Sequence, residues 1–91
     1  MVINFEQVHN YYERLVFEHV VQQSEAHPGF TADMLADVAC VALNRLPARY
    51  VRHDVDLMFY LTEHERHAID HAMTEALAFG FSFVAQRAVK K

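Results

Sequence analysis

The chain carries 91 residues, 53% of them hydrophobic with seven Phe and four Tyr, and a formal net charge of −4. That apolar content excludes a disordered segment, and the acidic balance excludes general nucleic-acid binding, which needs broad positive charge. One domain over residues 1–91 is expected, with a core thin enough at this length to gain from burial against a partner.

No apolar run approaches the roughly 18 residues that span a bilayer, and the N-terminus lacks the basic-then-apolar layout of a signal peptide. A cytoplasmic protein without membrane insertion is expected. Only two glycines and two prolines punctuate the chain, so its segments are long, which favours helices. From Phe5 to about Gln23, the residues Phe5, Val8, Tyr12, Leu15 and His19 recur at steps of three and four and define one helical face. Phe17 and Val21 fall on the opposite face, which predicts contact with something besides the helix's own core.

SEAHPGF at 24–30 reads as a loop, broken by Pro28 and Gly29. Thr31 is placed to cap a second helix, with Asp33 in its first turn and Leu35, Val38, Ala39, Ala42 and Leu46 facing inward. Pro47 ends it, because the residue before a proline is pushed out of the helical region. Cys40, the only cysteine, cannot form an intrachain disulfide or hold a zinc by itself, and is expected as a small buried apolar residue. YVRHDVDLMFYL, Tyr50 to Leu61, is rich in aromatic and β-branched types with partial alternation, so a short extended segment or a coil crossing the core is expected.

TEHE at 62–65 is a capping box, Thr62 at the N-cap and Glu65 at the third helical position. It opens a long last helix with Glu65, Ile69, Ala72, Met73, Ala76, Gly80 and Phe83 inward, and His64, His67, His71, Ala78 and Ala85 opposite. Phe79 and Phe81 widen the apolar band until nearly the whole circumference is hydrophobic, which predicts a two-fold subunit interface.

His64, His67 and His71 share a helical face, but HERH is one residue short of the His-Glu-x-x-His zinc spacing, so a solvated polar face is expected there and no metal. Ser24 and Ser82 have no elbow or triad context, and no Gly-rich phosphate loop occurs. The pattern is that of a protein other than an enzyme.

ALNRLPARYV at 42–51 concentrates the chemistry. Arg45, Arg49 and Arg52, three of only eight basic residues, gather around Pro47 and Tyr50. Guanidinium planes stack on bases and bind phosphates through two prongs, and a tyrosine adds another stacking face. Asp37 and Asn44, seven residues apart, lie on a common side of the helix, where a carboxylate can read a guanine edge. Two readings stand side by side. In one, the corner is a pocket for a compact anionic nucleotide. In the other, Asn44 caps the helix end, Asp37 pairs with an arginine and Tyr50 belongs to the core.

Asp37-Val38-Ala39, then Ala42-Leu43-Asn44-Arg45-Leu46-Pro47, then Tyr50-Val51, resembles the signature of the ComFB family of late competence development proteins, and INFEQV at 3–8 is similar to that family's start. The resemblance implies a small, helix-rich homodimer that binds a cyclic dinucleotide, cyclic di-GMP foremost, to regulate motility, competence or related surface behaviour. Carried over by position, Asp37, Asn44, Leu46, Pro47 and Tyr50 match the motif. Two departures stand out. Where the family places zinc-binding cysteines just before the motif, this chain has HPGFTADM, so a structural zinc is expected to be absent; where a second proline follows the first, Ala48 stands.

The expectation is therefore an all-α or α-dominated domain with a short extended segment, homodimeric, acting as a cyclic-dinucleotide receptor. Its ligand-binding set is Asp37, Asn44, Arg45, Pro47, Arg49, Tyr50 and Arg52, and a regulatory partner protein reads the bound state. The alternative is a protein-interaction module without a small ligand, docking through Phe17, Val21, Phe79 and Phe81.

Overall fold

The computed structural model describes residues 1–89. In chain order it contains β1 (His9–Asn10), α1 (Tyr12–Ser24), α2 (Ala32–Arg45), β2 (Tyr50–Val51), α3 (Asp54–Tyr60) and α4 (Glu63–Val89). Helix dominates, as the sparse glycine and proline imply. The two strands pair antiparallel, His9 opposite Val51 and Asn10 opposite Tyr50.

Both helix caps read from the sequence form. The Thr31 hydroxyl accepts from the Met34 N–H at 3.1 Å, and the Thr62 hydroxyl accepts from the Glu65 N–H at 3.1 Å. Each satisfies one of the orphan donors at a helix start. At the other end of α2, Leu46 is extended (φ −99°, ψ 135°), as a residue before proline should be. Its side chain is buried and anchors the corner to the core.

The core lies where α1 and α4 pack on α2. It comprises Tyr12, Val16 and Val20 from α1, Val38, Ala39, Ala42 and Leu46 from the second helix and its cap, and Met73, Ala76, Leu77, Phe81 and Val84 from α4. Gly80 marks the closest approach of α2 and α4. A Cβ there would sit 3.0 Å from the Val38 carbonyl oxygen and 3.2 Å from Val38 Cγ1. A helix-weakening residue is kept at this position because the crossing leaves no room for a larger one.

Four expectations are corrected. The first helix starts at Tyr12, so Phe5 and Val8 lie outside it, and its buried stripe is Tyr12, Val16 and Val20, with His19 exposed. The apolar period carried on through residues that instead form a strand, which shifted the inferred face by one position. Within the 50–61 segment only Tyr50–Val51 forms a strand, and Asp54–Tyr60 is a helix with no buried residue rather than a coil through the core. Its start carries Asp54 and Asp56, favourable beside the positive helix N-terminus. Phe81 faces inward at 5% exposure, stacked on His27 with ring centroids 4.3 Å apart, while Phe83 faces outward. From Phe79 onward α4 is therefore not buried all round within the protomer: Phe81 and Val84 face the core, while Phe79, Ser82, Phe83 and Gln86 are exposed. Cys40, expected inside, is exposed.

Candidate functional site: the Pro47 corner and its flanks

The corner is held from outside its own segment. Asn10, a buried polar residue, accepts through its side-chain oxygen from the Arg49 N–H at 3.0 Å and from the Tyr12 N–H at 3.3 Å. The Tyr11 N–H donates to the Arg49 carbonyl at 2.7 Å. Leu46 fixes one side of the turn and Asn10 the other. The turn is thereby tied at both ends, with Val51 half-buried and Pro47, Arg49, Tyr50 and Arg52 all exposed, Tyr50 at 67%. Burial pushes the Tyr12 phenol above its ordinary range, and the nearby Arg49 charge opposes that shift, which puts the guanidinium within electrostatic reach of the ring.

Arg45 has another setting. Its Cζ lies 3.9 Å from the centroid of the Phe79 ring. Phe79 stacks on Phe83 at 5.8 Å and 24°, and Arg87 covers Phe83 at 5.5 Å, so Arg45, Phe79, Phe83 and Arg87 form a ladder along the α2–α4 seam. Stacking occupies the face of a guanidinium and leaves its in-plane N–H donors available.

Asp37 and Asn44 point to solvent from α2. Asp37 lines an open groove of about 640 Å³ between the start of α2 and the end of α4, together with Cys40, Val41, Phe83 and Arg87. The Asn44 amide donates to the Cys40 carbonyl at 2.9 Å instead of capping the helix end, and its side-chain oxygen has no donor among the described residues.

The sequence-derived residues thus fall into three neighbourhoods. Arg49, Tyr50 and Arg52 follow the corner, Arg45 joins the aromatic ladder, and Asp37 belongs to the groove. Seven residues along a helix is about 10.5 Å, so Asp37 and Asn44 share a side of α2 without sharing a contact. Among the described residues none of Arg45, Arg49, Arg52 and Asp37 is ion-paired. Two features escaped the sequence reading. Asn10 carries no local signal of its distant partner, whereas Phe79, Phe83 and Arg87 follow one another at steps of four and were readable as one stripe. Among the described residues no group of three or more His, Cys, Asp or Glu is placed to hold a metal, and no helix is long and apolar enough to cross a membrane.

These features define a small helix-dominated domain whose open, cationic corner is braced on a two-residue ribbon. The sequence model of the late competence development protein ComFB matches residues 9–88. The chain belongs to the ComFB family, with β1 through nearly all of α4 inside the match and residues 3–8 outside it, and that membership supports a competence-related regulatory role. No curated protein and no solved structure matches the chain.

Proposed function

We propose that the protein is a cytoplasmic, non-enzymatic receptor for a cyclic dinucleotide, cyclic di-GMP foremost, that works as a homodimer without a structural zinc and reports the bound state to a regulatory partner protein. The observation that carries this reading is the state of the corner: Tyr50 is solvent-facing beside two arginines with no acidic partner among the described residues, on a backbone held by Leu46 and Asn10. A competing account needs Tyr50 in the core, Asp37 neutralising an arginine and Asn44 capping α2, and the contacts around all three residues oppose it. Arg49 and Arg52 would bind phosphates, Tyr50 would stack on a base, Arg45 would offer in-plane donors, and Asp37 or Asn44 would read a base edge. Pro47 limits the entropy lost when the arginines are ordered.

The homodimer rests on the family resemblance and on α3. A seven-residue helix is too short to persist in water by itself, and Val55, Phe59 and Tyr60 are exposed on it, Phe59 at 81%. A second copy seated on α3 would bury them, and a two-fold assembly suits a two-fold ligand.

The same exposed apolar residues favour the second reading, an interaction module that docks a partner protein with no small ligand. A thermal-shift screen against cyclic di-GMP, cyclic di-AMP and linear nucleotides separates the two. At a hundred times the dissociation constant a ligand adds roughly 2.7 kcal/mol of stability. A shift with a cyclic dinucleotide supports the receptor, and no shift with any nucleotide leaves the interaction module.

A further inference from the structure

His9 occupies a position that neither the corner nor the seam explains. On β1 its Nδ1 lies 2.6 Å from the Gln7 carbonyl oxygen, and its Nε2 lies 2.6 Å from Asp54 Oδ1. A carbonyl and a carboxylate can only accept, so both ring nitrogens must donate, and the ring that fits this geometry is the imidazolium. A neutral ring would present one lone pair to an oxygen at contact distance.

Asp54 is the first residue of α3, the helix with no buried residue. Polar contacts tie that helix to the rest of the chain: His9 and Arg14 both reach Asp54, the latter at 3.6 Å, and Arg66 donates to the Met58 carbonyl at 2.8 Å. His9 also pairs with Val51 in the ribbon that carries Tyr50. His9 therefore joins three parts of the chain: its ring holds the Gln7 carbonyl and the start of α3, and its backbone pairs with the corner's strand.

We propose that His9, bridging Gln7 and Asp54, is a proton-operated latch that clamps α3 to the β1–β2 ribbon when both ring nitrogens carry protons and loosens it when one is lost, because the single remaining N–H can serve only one of the two oxygens. The charged groups around the ring are Asp54 from α3, and Glu13 and Arg14 from α1; β2 offers the uncharged Val51 opposite it. The Gln7 carbonyl bond first and the Asp54 bond second raise the His9 pKa above its ordinary value, outweighing desolvation. A raised folded-state value means that the latch's contribution is complete below about pH 6.5 and is lost as pH rises through the folded-state pKa. Arg14 then holds Asp54 alone, from an exposed position and while also reaching Glu18 at 3.7 Å. The inference does not depend on the ligand.

The test is an NMR titration of the full chain between pH 5 and 8.5, following the His9 ring and, in parallel, the intrinsic-rate-corrected protection of the amides from Met58 to Leu61. The His9 midpoint should lie above about 6.5, and α3 protection should fall across it by about tenfold for each unit of elevation, while α2 and α4 hold steady. Asp54→Asn should return the midpoint toward its ordinary value and remove the α3 step. His9→Gln, which retains one donor at every pH, should give pH-independent α3 protection. An ordinary midpoint in the unmodified chain, an α3 protection that is flat with pH, or a step that persists in either variant would overturn the latch.

Discussion

Asn10, on β1, receives backbone donors from two places remote from each other, Tyr12 at the start of α1 and Arg49 in the middle of the arginine corner. Both bonds are made where water cannot replace them freely. Asn10→Ala should therefore leave two N–H groups without an acceptor and cost about 2 kcal/mol or more, while Asn10→Asp, which keeps an accepting oxygen, should cost much less. Thermal melts of the two variants check this. The arginines themselves were legible because Arg, Pro and Tyr declare their chemistry in any setting. The residue that positions them was not, because an asparagine before a helix looks the same whether or not a distant strand comes to meet it.

Among the elements, the α2–α4 crossing is the most constrained. Gly80→Val would put branched carbons against the Val38 carbonyl, and the overpacking should cost roughly 1 to 3 kcal/mol, beyond any gain in helix propensity. Phe81→Glu would place a carboxylate beneath His27 and Phe30, so loss of the fold, rather than loss of an interface, is its expected outcome by circular dichroism. The boundaries of α2 and the start of α4 were legible because Thr31, Pro47 and Thr62 act on the nearest turn. The start of α1 and the nature of α3 were not. In the first, apolar spacing ran on through Phe5 and Val8 into a strand whose partner is remote in sequence. In the second, the aromatic and β-branched content of DVDLMFY outweighed the two aspartates that favour a helix start.

At the scale of the molecule, the radius of gyration is 15.1 Å, against about 12 Å for a compact chain of this length, and the dimensions are 50 × 36 × 20 Å. The proposed homodimer would bury the apolar residues that this open shape leaves exposed on α3. Light scattering at micromolar concentration should give a dimer, and Phe59→Glu should give a monomer with its α1–α2–α4 core intact; a monomer for the unmodified chain would contradict the assembly. Ligand binding, by contrast, depends on the corner. Calorimetry of cyclic di-GMP with the unmodified chain, Arg49→Ala and Arg49→Lys tests it most directly. The prediction is measurable binding to the unmodified chain, a loss of about 1.5 to 3 kcal/mol in Arg49→Ala, and a large loss in Arg49→Lys too, because lysine keeps the charge but not the planar fork. Absence of heat with the unmodified chain, or equal affinity in all three proteins, would contradict it.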